Sequence, residues 1–252
     1  MSDHISVRRR DRVLELRIER PAKKNALTRG MYQALSEALE AAAADTAVRA
    51  VFIAGSGGCF TAGNDLNDFL NALPSREDRP AARFLRALAR LPQPLVAAVS
   101  GVAVGIGTTL LLHCDLVFAA PDARFQLPFV KLGLVPEAAS TLLLPQMAGY
   151  HRAAELLLLG EPFDAAAAAD AGIVNAVVEA DALEAHARSV AERLTRLAPQ
   201  ALAATKKLMK RHQLDDVLAV MDAELDEFVA RLQGDEAREA INAVLEKREP
   251  DF

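Results

Sequence analysis

Residues 94–112 read PLVAAVSGVAVGIGTTLLL, a charge-free run of bilayer-crossing length. Gly101, Gly105 and Gly107 fall in its middle and Pro92 and Pro94 at its start. Those residues punctuate a helix and suit a strand, a tight turn and a buried helix in succession. The run is therefore read as the centre of a globular core, with a strand over Leu95–Val99 and a buried helix ending across 110–114.

Upstream, Val13–Ile18 (VLELRI) alternates apolar and charged residues, the period of a half-buried strand. Thr28 then stands as an N-cap before Met31, Leu35, Leu39 and Ala42, which share one helical stripe ending near Ala44. Residues 50–54 (AVFIA) form an apolar run short enough for a buried strand, and a helix is expected over Pro80–Arg90. Residues 116–120 give another strand. This alternation predicts an α/β layout with strands covered on both faces.

After Pro136 the pattern turns helical over 138–149, 151–160 and 164–171, with Gly160 and Gly172 as stops and a last short strand over 173–178. Residues 181–247 read as helices with stripes such as Leu194, Leu197, Leu202, Leu208 and Leu218, Met221, Leu225, Phe228. Such stripes need an apolar partner, so part of this surface is expected to be a subunit interface.

Composition narrows the function. The 252 residues are 52% hydrophobic and 25% charged, with 13 Gly and 12 Pro, a globular profile. A formal charge of -5 argues against nucleic-acid binding, which needs a basic face. The charged start MSDHISVRRRDR lacks the apolar segment of a secretory signal, and Cys59 and Cys114 suggest neither a disulfide framework nor a zinc knuckle. The expected home is the cytoplasm, with no membrane partner.

No H-E-x-x-H and no G-x-S-x-G occurs, so neither metal nor serine hydrolysis is indicated. Gly105-Ile106-Gly107 supplies two glycines of a dinucleotide fingerprint but not the third, and Asp115 and Asp122 follow too closely to hold a ribose. Two segments remain, Thr61-Ala62-Gly63-Asn64-Asp65-Leu66 and 101–107. Each is expected between a strand and a helix, where unpaired backbone N–H groups can converge on an oxyanion. By spacing alone they read first as simple tight turns, which far outnumber oxyanion sites. Glu137, just after Pro136, reads by itself as an acid complementing a helix dipole, worth about 0.3–1 kcal/mol.

Taken together these pieces resemble the crotonase (enoyl-CoA hydratase/isomerase) family over almost the whole chain. The resemblance rests on Glu19-Arg20-Pro21, Asn25-Ala26-Leu27, Phe60-Thr61-Ala62-Gly63-Asn64-Asp65-Leu66, Pro94-Leu95-Val96-Ala97-Ala98-Val99 and Gly101-Val102-Ala103-Val104-Gly105. It continues through Cys114-Asp115, Ala123-Arg124-Phe125, Leu132-Gly133-Leu134-Val135-Pro136 and Ala171-Gly172-Ile173-Val174-Asn175. It implies a spiral of ββα turns over 1–195 that carries the active site, then a helical trimerisation region over 196–252, with homotrimers or hexamers as the assembly. It also implies an acyl-CoA thioester ligand, with CoA as part of the substrate and no separate cofactor or metal. The thioester oxygen would accept from the backbone N–H groups of Asn64 and Ile106. Lys24, Ala26, Ala62, Asp65, Leu66 and Phe129 would contact substrate or CoA, with Lys23 beside Lys24 near the phosphates.

The acids depart from the hydratase pattern. Hydratases of this family carry glutamates at the places occupied here by Thr109 and Phe129, and neither of these can shuttle a proton as a carboxylate does. An acid stands instead at Glu137. Pro128-Phe129, Leu132-Gly133, Pro136-Glu137 and Gly63-Asn64-Asp65-Leu66 are similar to the peroxisomal-type Δ3,Δ2-enoyl-CoA isomerases. The expected reaction is migration of a double bond through a dienolate with Glu137 as the proton carrier. The alternatives are an enoyl-CoA hydratase, another reaction of the family, and a non-catalytic acyl-CoA-binding subunit.

Overall fold

A computed structural model describes residues 4–65, 80–246 and 248–252. Among the described residues nine strands make two sheets. The larger has six, in the order β1 (Ile5–Arg10), β2 (Val13–Ile18), β3 (Ala50–Gly55), β4 (Leu95–Val99), β6 (Leu116–Ala119) and β9 (Ala176–Val177). The first pair is antiparallel and every later pair parallel, so each return of the chain adds the next strand at the same edge. The smaller sheet runs β5 (Val102–Val104), β7 (Arg124–Gln126) and β8 (Phe163–Asp164). A strand in the large sheet, a short one in the small sheet and a helix thus make one turn of the expected spiral.

Strands β3 and β4 are buried along their whole length, because both faces are covered. Val51 and Ile53 point into the main core, while Phe52 with Ala50 and Ala54 packs against Leu183, Ala187 and Ala191 of a helix on the opposite face. Arg188 of that helix lies 5.1 Å from the Phe52 ring and pairs with Glu15 of β2, so its long stem spans an apolar surface while its charge is matched.

The helices among the described residues are α1 (Arg29–Ala44), α2 (Pro80–Arg90), α3 (Ile106–Thr109, extended by a 3-10 turn Leu110–His113), α4 (Ser140–Ala148), α5 (Tyr150–Ala154), α6 (Ala165–Asp170), α7 (Leu183–Thr195), α8 (Pro199–Lys210), α9 (Leu214–Leu232) and α10 (Asp235–Glu246). Thr28 caps α1 as expected, accepting from the Met31 N–H. No helix among the described residues is long and apolar enough to cross a membrane, in keeping with the core reading of 94–112.

Several boundaries differ from expectation. The strand expected over 173–178 shrinks to Ala176–Val177, because the N–H groups of Ile173 and Val174 turn back to the Ala168 carbonyl instead of joining the sheet. Strands β1, β5, β7 and β8 lack a clear two-residue alternation of their own. β1 carries Arg8, Arg9 and Arg10 on a sheet edge, and the others have two or three residues that pair only because the spiral brings them together. The span 151–160 does not stay α-helical but widens at Glu155–Leu159 into a π-helical turn.

The helical region docks on its own core. Lys206 of α8 is buried, and its Nζ donates to the Gln93 carbonyl at 2.7 Å and to Asp115 at 2.6 Å. Gly133 leaves room for α10, since a Cβ there would lie 2.6 Å from the Ala237 nitrogen. The two glycine loops meet in the same way. At Gly63, with φ +90, an added Cβ would stand 2.7 Å from the Val104 carbonyl oxygen. Thr61 pairs with Ala103 across this contact. Gly63→Ala combines a disfavoured φ with a backbone clash and should lower stability by about 2 kcal/mol, read by urea unfolding against wild type.

Candidate active site

The first loop is organised by Asn25. This residue is fully buried with φ +57, a conformation that Asn tolerates better than most side chains. Its Oδ1 accepts from the Arg20 N–H at 2.8 Å, and its Nδ2 donates to the carbonyls of Ser56 at 2.9 Å and Cys59 at 2.6 Å. Its own carbonyl accepts from the Thr61 hydroxyl at 2.7 Å. Asn25 therefore joins the 20–27 loop to the 56–61 loop. Arg20 then donates to Asp65 at 2.6 Å and to the Ala26 carbonyl at 3.0 Å, fixing the far end of the glycine loop.

This lattice carries Asn64 to the wall of a pocket. Its side-chain oxygen accepts from the Tyr32 hydroxyl at 2.5 Å. The pocket, about 890 Å³ counting the solvent at its open mouth, lies between α1, α2, the 64–65 and 137–138 loops and α9. Leu27, Leu85, Met221, Leu225 and Phe228 make its walls apolar, and Arg29 and Arg86 also line it. It draws on residues from both sides of position 195, because α9 supplies one of its walls.

Glu137 faces the same pocket. The sequence places it at a helix start, but Ala138 and Ala139 are both left-handed, at φ +67 and +55, and α4 begins only at Ser140. Complementing the first turn of α4 is therefore not its position. The Oε1 atom is closed off from solvent and has no hydrogen-bond partner among the described residues. Burial, and then the negative charge of Glu224, raise the Glu137 carboxyl from 4.5 to about 8.

Of the other expected site residues, Asp65 lines the pocket, tied to Arg20. Ala62 donates to the Lys24 carbonyl at 2.9 Å, and Lys24 itself is exposed and left-handed at φ +48. Ala26 is half-buried in the adjoining loop. Leu66 lies outside the described residues. Ile106 is the first residue of α3, where an N–H has no intrahelical acceptor, and its side chain is buried. Packing of Gly107 against Thr61 keeps this helix start beside the 61–64 loop. Phe129 is buried in the core and absent from the pocket wall, so the apolar surroundings of Glu137 come from α2 and α9 instead.

Sequence reasoning passed over Tyr32 and Glu224. Both sit on apolar helical stripes, Tyr32 beside Met31 and Leu35, and Glu224 between Met221 and Phe228. A polar group on a stripe that faces inward was the available signal.

Known proteins agree with this architecture. A family model described as enoyl-CoA hydratase/isomerase matches residues 8–252. The chain is 36% identical over 249 residues to the 2,3-dehydroadipyl-CoA hydratase of Escherichia coli, covering 98% of this chain and 97% of that protein. It is 32% identical over 250 residues to the peroxisomal enoyl-CoA delta isomerase 3 of Mus musculus, covering 97% and 78%. Among solved structures, OdaA of Pseudomonas aeruginosa superposes with a TM-score of 0.93 at 51% identity, covering 97% of this chain and 99% of that one.

Two outcomes follow for stability. Asn25→Ala leaves several buried backbone groups without partners and should cost about 3 kcal/mol, measured by chemical unfolding. The second concerns pH. Because the Glu137 carboxyl is raised from 4.5 to about 8, the folded chain keeps a proton there that the unfolded chain has lost, and stability falls as pH rises through that window. Glu137→Gln removes this loss. The variant should match wild type near pH 4 and exceed it by up to about 5 kcal/mol near pH 9, in paired unfolding curves.

Proposed function

The chain belongs to the enoyl-CoA hydratase/isomerase family, and from that premise we propose that it moves a double bond in a 3-enoyl-CoA thioester, with Glu137 as the proton carrier. The observation that carries this reading is the Glu137 carboxyl, which faces a largely apolar pocket and whose Oε1 is closed off from water with no hydrogen-bond partner among the described residues. A proton acceptor poised near neutrality suits carbon acid chemistry. Thr109 and Phe129, at the places of the hydratase glutamates, offer no carboxylate, and both are buried.

In the proposed reaction the thioester oxygen lies between the N–H groups of Asn64 and Ile106. Ionised Glu137 takes a proton from C2, and the electron pair moves into a dienolate whose charge rests on that oxygen. Each N–H contributes about 2.7–4 kcal/mol as the charge develops. Protonated Glu137 then returns the proton at C4, leaving the 2-enoyl thioester and the original carboxylate. The walls from Leu85, Met221, Leu225 and Phe228 limit exchange of that proton with water. CoA is part of the substrate, and the scheme uses no separate cofactor.

Lys24, Ala26, Ala62, Asp65 and Leu66 are assigned to the CoA side of the site in this proposal; Arg29 and Arg86, the latter paired with Asp222, also line the pocket. Assembly as a homotrimer or hexamer belongs to the same reading, supported by the exposed Leu197, Leu208 and Met209 of the helical region.

The test follows conversion of 3-enoyl-CoA to 2-enoyl-CoA by purified protein. Glu137→Gln should lower kcat by about 10² to 10⁴ with CoA binding nearly unchanged. The wild-type kcat/KM should rise with pH and level off above about 8, since the base must be ionised. A loss below about tenfold removes Glu137 from the mechanism. Rapid hydration of crotonyl-CoA with no action on 3-enoyl substrates makes the protein a hydratase, and thioester binding without turnover of either makes it a binding subunit.

A further inference from the structure

The turn that carries Glu137 is built against local preference. Ala138 and Ala139 are consecutive left-handed residues with side chains, a conformation that disfavours each by about 1–2 kcal/mol. Such a turn persists only where its surroundings hold it. The hold is on the peptide unit between the two alanines. Its carbonyl oxygen, on Ala138, lies 2.8 Å from His113 Nε2. Its N–H, on Ala139, donates to Glu224 Oε2 at 2.6 Å. A trans peptide points these two groups in opposite directions, so the unit is gripped at both ends.

Both gripping residues are buried and come from distant elements. His113 ends the 3-10 turn that extends α3, so a rigid segment links the Ile106 helix start to the Ala138 carbonyl. Burial lowers the His113 pKa to about 4, leaving a neutral ring that donates through Nε2 to the carbonyl. Glu224 lies on α9 and also accepts from the Thr141 N–H at 3.0 Å and the Thr141 hydroxyl at 2.6 Å. Helix α4, whose N-cap Ala139 offers no side-chain acceptor, is thus capped by a carboxylate from another helix.

We propose that His113 and Glu224 are positioning residues, which clamp the Ala138–Ala139 peptide so that the Glu137 carboxyl stays over the substrate carbons, with the Glu224 charge kept close behind it. Neither touches substrate in this assignment. The inference rests on Glu137 being the proton carrier proposed above. Its electrostatic part depends on the charged and titratable groups around Glu137 among the described residues. These are Asp65, paired with Arg20, from the loop; Arg29 and Tyr32 from α1; Arg86, paired with Asp222, from α2; Glu224 from α9; and His113 behind Ala138. Of these, only Glu224 contributes beside burial to the displacement of the Glu137 carboxyl; burial raises the Glu224 carboxyl as well, against the hydrogen bonds from Thr141 and Ala139 that favour its charged form.

The experiment reads Glu137 directly, apart from turnover. In protein carrying ¹³C at glutamate side-chain carboxyls, the Glu137 resonance is the one lost in Glu137→Gln, and its midpoint is followed against pH. Glu224→Gln should move that midpoint down by about one pH unit and lower kcat roughly tenfold with KM within about twofold. His113→Leu should lower kcat similarly, and His113→Gln, whose amide can donate to the same carbonyl, should restore most of it. An unmoved midpoint with unchanged kcat in folded Glu224→Gln overturns the proposal. A displaced midpoint in a protein whose wild type does not isomerise 3-enoyl thioesters keeps the clamp and removes only the reaction. Should Glu224→Gln not fold, the His113 pair decides: a Glu137 midpoint and kcat in His113→Leu equal to wild type overturn the clamp.

Discussion

A carboxyl oxygen that is shut away from water and given no hydrogen-bond partner is an expensive thing for a protein to hold. Isolated ionised carboxylates are so poorly solvated by a protein interior that the group shifts toward its neutral form. Glu137 responds in that way, and the folded structure must offset the penalty by packing elsewhere. The fully buried strands β3 and β4 and the apolar layer under α7 supply it.

The geometry around that acid depends on backbone meeting backbone. Gly63 lies against Val104 and Gly107 against Thr61, with no room for a Cβ between them. Asn25 and Arg20 then lock the approach to this contact with side-chain hydrogen bonds. On the far side, α9 brings Met221, Leu225 and Phe228 to the pocket and Glu224 to the turn behind Glu137. One helix therefore both dries the pocket and braces its acid.

Much of this was legible from residue pattern. The covered parallel strands follow from short apolar runs, the start of α1 from Thr28, and the two loops from their glycines. Glu137 was picked out by the acids missing at Thr109 and Phe129. What pattern could not supply were the two-residue and three-residue strands, which pair only after the spiral has closed. Nor could it separate Phe129, an aromatic that belongs to the core, from the side chains that form the pocket wall. Tyr32 and Glu224 were hidden for a related reason: each lies on a stripe whose apolar members dominate the reading.

By itself the amino-acid sequence determined the α/β class, the family resemblance and the identity of the acid after Pro136, because these depend on residue types and their order along the chain. Only the tertiary structure decided the environment of that acid. Burial, the partners of one peptide unit and the closeness of a second carboxylate are set by residues far apart in sequence, among them His113, Ala138 and Glu224. Solvation and electrostatic coupling depend on distance in space, and local pattern carries no measure of it.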